Sequence, residues 1–348
     1  MRKLALLLGS LVVVASASAK EVVPAPVVVE EAPVQIVEKE VIVYRDKEEG
    51  FRPNGNIGLE YRAFGETEGQ DCGDWSSSDG DNYGRVQLSG AINMTEKQRL
   101  EFRVRNWNSL DQEDKLKTRK NGNETRLRYF YNHGYLGDSK VNLTSRVHYR
   151  NYGHDDDSQE LEYMARFNFA EYMFNSDFVK TTDFTVAPKY AYSWGDGNSS
   201  DYDNQIGADL YTMHELPLGF SFEFNLYGDQ HFYGERQATG AKDTVRNNTS
   251  LTMEAYLYNT TNLYANDDVT VDFYFEGGYD DYSYSQEKMF GTKHIAADDN
   301  LGTTASGTDD TDYSLYALPG IQADYQVTPN FKVYAVAGAE YRDWADSN

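Results

Sequence analysis

The chain has 348 residues, a formal net charge of -24 and a mean hydropathy of -0.69, with 28 Tyr, 28 Gly and 17 Phe against only 8 Pro. Its acidity excludes general nucleic-acid binding, which needs a basic face, and a single cysteine, Cys72, excludes an internal disulfide framework. A chain that is aromatic-rich, Gly-rich and polar on average fits a transmembrane β-barrel, because half of each strand faces lipid and half faces water.

The N-terminus carries Arg2 and Lys3, an apolar run over residues 4–14 and the small-x-small triplet Ala17-Ser18-Ala19. That pattern predicts a cleaved secretory signal over residues 1–19, with the mature chain starting at Lys20. Beyond it no apolar stretch approaches the ~20 residues of a spanning helix. Residues 20–52 form a Pro/Val/Glu-rich segment, expected to be an extended periplasmic arm. Val37, Val41 and Tyr44 recur at helical spacing, but 40–46 also alternates like a strand, and periodicity does not separate the two.

From residue 53 to 348 one pattern repeats: about ten residues of alternating polarity, then turn residues. Ile57, Leu59 and Tyr61 alternate with Gly58, Glu60 and Arg62. Val86 and Leu88 oppose Arg85 and Gln87; Leu100, Phe102 and Val104 oppose Arg99, Glu101, Arg103 and Arg105. Leu127 and Tyr129 oppose Arg126 and Arg128, Val147 and Tyr149 oppose Arg146, His148 and Arg150, and Leu161 and Tyr163 oppose Glu160 and Glu162. Later strands are expected at 184–194, 205–214, 220–229, 251–258, 269–280, 313–325 and 331–342. Aromatic residues near strand ends (Tyr61, Tyr131, Tyr135, Tyr149, Tyr152, Tyr192, Trp194, Tyr258, Tyr279, Tyr313, Tyr325 and Tyr341) resemble interfacial girdles.

Connections alternate in length. Those at 94–97, 136–139, 216–219 and 326–330 are short, whereas 66–81, 108–122, 233–246 and 281–311 are longer and acidic, the periplasmic and external sets of an outer-membrane barrel. The fold expected is therefore all-β, a transmembrane antiparallel up-and-down β-barrel in the cell outer membrane. About 13 strands are present, where single-chain bacterial barrels have an even number. The last predicted strand runs outward into 343–348, so a C-terminal strand is expected to be missing. A miscount at Pro188 or Pro319, each inside a strand pattern, is the competing explanation.

Lys3-Leu-Ala-Leu, Ala17-Ser-Ala-Lys-Glu21, Pro24-Ala-Pro26, Glu40-Val-Ile-Val-Tyr-Arg-Asp46 and Arg52-Pro-Asn-Gly55 resemble the N-terminal region of the fusobacterial major outer-membrane porins. Asn93-Met-Thr-Glu-Lys-Gln98 with Leu100-Glu-Phe-Arg-Val-Arg-Asn106 is similar to a further block of that family, and the likeness is clearest over the first third. The resemblance implies fourteen strands, diffusion of small hydrophilic solutes and ions, a homotrimer, and loops that bind host or bacterial surface ligands. An adhesin acting through its long acidic external loops is the second functional reading.

A porin makes and breaks no bonds, so its site is the electrostatics of its lumen. The polar faces predict a basic wall of Arg85, Arg99, Arg103, Arg105, Arg126, Arg128, Arg146, Arg150 and Arg166. They predict an acidic wall of Asp209, Glu223, Asp229, Glu254, Asp272, Glu276 and Asp280. Opposed walls create a transverse field that orients polar solutes; alternatively, the charges pair across neighbouring strands. No enzyme, cofactor or metal is expected. The six histidines form no H-E-x-x-H, Gly-x-Ser-x-Gly is lacking, and Asp155-Asp156-Asp157, Asp298-Asp299 and Asp309-Asp310 read as solvated loop acids. A set of His, Asp and Ser brought together from separate strands would escape such motifs.

Overall fold

A computed structural model describes residues 5–15, 51–64, 83–109, 122–152, 158–195, 199–238, 244–286 and 314–344. The arm at 20–50, Cys72, Tyr313 and the acidic stretches at 155–157, 298–299 and 309–310 lie outside the described residues.

Thirteen strands follow one another as an antiparallel up-and-down sheet. They are β2 (Asn54–Phe64), β3 (Tyr83–Asn93), β4 (Gln98–Ser109), β5 (Gly122–Tyr135), β6 (Asn142–Tyr152), β7 (Gln159–Asn168) and β8 (Lys180–Trp194). The rest are β9 (Tyr202–Glu215), β10 (Phe220–Ala238), β11 (Thr244–Ala265), β12 (Val269–Ser285), β13 (Ser314–Thr328) and β14 (Phe331–Trp344). Each pairs with its chain neighbours, as short hairpins favour. Pro188 and Pro319 do not split a strand. Pro188 pairs in register with Ala208 and Pro319 with Phe275, and both are exposed. On the other side of each, the ladder is interrupted between Met164 and Phe167 of β7 and between Tyr341 and Gly338 of β14, where a ring nitrogen has no hydrogen to donate.

The apolar run expected to be a leader is a strand in this structure. β1 (Ala5–Ala15) pairs antiparallel with β14 on one side and β2 on the other, so the strand order closes on itself. Parity accounts for this. With thirteen strands alternating in direction, β2 and β14 run the same way, and a single strand antiparallel to both fills the gap. β1, whose Val12, Val13 and Val14 favour extended backbone, pairs along both edges.

Burial is inverted relative to a soluble sheet. Among the described residues the buried set holds five apolar or aromatic side chains and eighteen polar or charged ones. Outward positions such as Ile57, Leu59, Leu127, Val147, Leu161, Val186, Ile206 and Ile321 are exposed. The period of two puts these apolar residues on one face and the arginines, histidines and carboxylates on the other. Two expected girdle residues depart from this. Tyr152 and Tyr258 lie on the inner face, Tyr152 accepting a hydrogen bond from Arg150 and Tyr258 donating to Glu223 at 2.9 Å.

The segment 233–246, expected as an external loop, is mostly sheet: β10 runs on to Ala238 and β11 begins at Thr244. Along this hairpin the outer face changes character. Leu226, Leu251 and Met253 give way to Gln230, Thr249, Asn247 and Arg236, with one exposed aromatic ring, Phe232, among them; Thr249 Oγ1 donates to Gln230 Oε1 at 2.7 Å. On β12, one extra residue between Tyr279 and Tyr282 opposes Met253–Ala255, forming a bulge. Gly278 beside it has φ 152°, and a Cβ there would meet the Ala255 carbonyl oxygen at 1.9 Å, so only glycine fits.

If β1 closes the ring, a chain starting at Lys20 leaves the N–H and C=O groups of β2 and β14 unpaired. In detergent it is expected to lose the trypsin resistance and heat-modifiable gel mobility of the full chain. A resistant 20–348 species would show that β1 is dispensable for closure.

Candidate functional site

The inner face is organised in rows of register partners. One row runs Arg103, Arg126, Arg150, Glu160, Ser193, Asp203 across β4 to β9. A second runs Glu101, Arg128, His148, Glu162, Ala191, Gln205, and a third Arg99, Phe130, Arg146, Met164, Lys189, Gly207. The expected basic residues therefore share one wall, formed by β3 to β7.

Pairing absorbs part of that wall. Arg85 donates to Glu60 at 2.9 Å, Arg146 to Glu162 at 2.5 Å, and Arg103 to Glu124, which also lies 3.6 Å from Arg105. Arg166 is 3.6 Å from Asp183 and stacks its guanidinium 4.4 Å from the Tyr211 ring centroid. Arg99 is exposed beside the 94–97 turn and pairs with Glu101 at 2.9 Å. No carboxylate among the described residues forms an ion pair with Arg126 or Arg128. Cross-strand pairs thus engage Arg85, Arg103, Arg146 and Arg166, while Arg126 and Arg128 are outside them.

The acidic wall is held differently. Glu223 accepts from Asn225 at 2.7 Å and from Tyr258. Glu254 accepts from Tyr227 at 2.8 Å, Glu276 from Tyr316 at 2.6 Å and Asp272 from Asn262 at 2.8 Å. Neutral donors satisfy these carboxylates without cancelling their charge. Asp280 belongs to β12, but its side chain is outside the described residues.

Asp209 and Asp229 instead share Lys189, a residue absent from either expected wall. Its Nζ lies 2.9 Å from Asp209 and 3.0 Å from Asp229. Lys189, Gly207 and Asp229 are register partners on β8, β9 and β10, so the lysine reaches across β9. Gly207 makes room for it: a Cβ there would stand 2.3 Å from Asp229 Oδ1 and 3.0 Å from Lys189 Cε.

A second buried set also escapes the expected walls. His231 Nδ1 is 2.7 Å from Asp203 Oδ2, and His231 Nε2 is 2.8 Å from Ser250 Oγ. Asp203 further accepts from the Phe232 amide at 3.1 Å and from Gln205 at 3.0 Å. This has the connectivity of a Ser-His-Asp relay, assembled from β9, β10 and β11 with no sequence motif. Ser250 is also the register partner of Asp229, which shares Lys189 with Asp209. The hydrogen bonds of the set clamp three neighbouring strands together.

No family model and no curated protein matches this chain.

Lys189→Met removes the cation between two buried carboxylates. It is expected to destabilise the protein by about 3–5 kcal/mol, the cost of leaving a buried charge unpaired. Gly207→Val is expected to act in the same direction by displacing the bridge. Urea unfolding of both variants in detergent checks this, and an unchanged midpoint for Lys189→Met would mean that the aspartates are solvated.

Proposed function

We propose that this chain is an outer-membrane porin, a β-barrel crossing the bilayer and passing small hydrophilic solutes and ions through a water-filled lumen. One observation carries the reading: a closed run of antiparallel strands with polar, ionisable side chains turned inward and apolar ones outward. Water gives no reason to expose Ile206, Leu59 and Leu161 while burying Asp203 and Arg146, whereas lipid outside and water inside give one for both. The change of the β10–β11 outer face from apolar to polar fits the upper limit of a hydrocarbon layer. At the opposite rim, the 169–179 connection exposes Tyr172, Phe174 and Phe178, side chains suited to a headgroup interface.

Within such a lumen the uncancelled arginines of β5 face carboxylates that keep their charge among neutral donors. A transverse field follows, orienting water and polar solutes in transit. Nothing in this arrangement requires bond chemistry; the expected work is selection by size and charge.

The decisive measurement is single-channel recording of the purified full chain in a planar bilayer. Stepwise ohmic conductance is expected, and a persistently silent bilayer would reject the porin reading. Phe102→Arg should cost about 2–4 kcal/mol of folding free energy in liposomes, the penalty for Arg near the midplane. Arg103→Phe should fold and alter conductance. Exchanged outcomes would place the inner and outer faces the wrong way round.

Neutralising Arg103, Arg126 and Arg146 together should shift the reversal potential under a salt gradient toward cations. Charges beyond a Debye length of ~8 Å at physiological salt contribute little, so replacing Asp298, Asp299, Asp309 and Asp310 should have a smaller effect. The reverse ranking would transfer the filter to that segment.

A further inference from the structure

The row Arg103, Arg126, Arg150 sets three guanidinium side chains in direct register on three adjacent strands. Like charges placed opposite one another destabilise a sheet, so the arrangement calls for a negative partner. Protein carboxylates supply it only in part: Glu160 continues the row beside Arg150, and Glu101 is the register partner of Arg128. Glu124 serves Arg103 and Arg105, the row's neighbour on β4, while Arg150 donates to the Tyr152 hydroxyl. Arg126 in the centre, and Arg128 two residues along the same face, have no carboxylate ion pair among the described residues. The Nε–H groups of Arg103, Arg128 and Arg150, like those of the ion-paired Arg85 and Arg146, have no protein hydrogen-bond partner. Five arginines thus converge on one patch with more donors than acceptors.

We propose that this patch binds a small multivalent oxyanion of the phosphate or sulfate type, entering from the lumen and bridging Arg126 to Arg103 and Arg150. Guanidinium groups are planar forks that match tetrahedral oxyanions through paired N–H donors, and their charge cannot be shed by deprotonation. A single chloride satisfies one fork at a time. An ion with several charged oxygens relieves the repulsion along the whole row, so its occupancy is favoured beyond its net charge. Access rests on the pore reading above. In a pore with this site, phosphate and phosphorylated solutes cross by a saturable route, while neutral sugars of similar size diffuse freely.

The test records chloride conductance of the full chain while inorganic phosphate is titrated at constant ionic strength. Glucose 6-phosphate and glucose serve as parallel arms, and calorimetric titration of phosphate into the detergent-solubilised protein measures binding without any channel. Saturable block by phosphate and by the sugar phosphate is expected, with none by glucose. Arg126→Gln should raise the half-blocking phosphate concentration at least about tenfold, the scale of a lost charge-assisted hydrogen bond. Should that variant fail to fold, Arg126→Lys keeps the charge but loses the fork and should weaken block by a smaller factor. Block by phosphate alone would restrict the site to the free ion and overturn its extension to phosphorylated solutes. Non-saturating block, or block unchanged in both Arg126 variants, overturns the site while leaving the porin reading intact. Silent bilayers with saturable calorimetric binding overturn the porin reading and leave the site.

Discussion

On the proposed membrane reading, a strand that is apolar on its outer face and met by no water there has one way to satisfy its backbone: its neighbours must supply every hydrogen bond. The strand pairing fits that constraint. Each described strand pairs with its chain neighbours, and the ladder breaks only locally, at Pro188 and Pro319 and at irregularities such as those at Phe232/Gln237 and Met253/Ala255. The place of the N-terminal apolar run between β2 and β14 fits it as well. The two free edges of a thirteen-strand sheet run the same way, and β1 pairs antiparallel with both.

Once the backbone is committed to the ring, the period of two decides where charge goes. Each strand must send half of its side chains into a confined space, and a confined space tolerates charges only when they are paired, hydrogen-bonded or wet. The first two solutions are seen directly. Arg146 and Glu162 pair, and Glu223 and Glu254 lean on tyrosine and asparagine, while Arg126 and Arg128 have no carboxylate ion pair among the described residues. Function, on the proposed reading, is the residue of this accounting: the charges that the protein does not cancel are those available to whatever passes.

Much of the fold was legible because alternation survives wherever both faces have strict requirements. Arg126-Leu127-Arg128 is such a place, and its inner and outer faces fall as its pattern predicts. Legibility failed where one requirement lapses. Beyond Phe232 the outer face of β10 carries no further apolar residue, so Gly234 and Arg236 look like loop although they extend the sheet. Tyr152 and Tyr258 were read by position near strand ends, whereas the parity of Arg150 and Glu254 on the same strands assigns them inward. Lys189 lay hidden behind Pro188, and Asp203 fell just outside the strand expected at 205–214. The Asp203–His231–Ser250 clamp joins three strands, and no local spacing encodes which residues of separate strands will share a level.

The strands differ in length by a factor of two. β7 has 10 residues and β6 11, whereas β10 has 19 and β11 22. At about 3.4 Å per residue, the longer strands are some 30–40 Å longer in total. The registers divide that excess between the two ends: Asn168 at the end of β7 is level with Asn225 of β10 and Glu254 of β11, so residues 220–224 and 255–265 stand beyond it on one side, and the hairpin strands over 234–238 and 244–246 on the other. The wall of sheet is therefore highest at β10–β11 on both rims, like a collar with one raised side above and below, and neither rim is level.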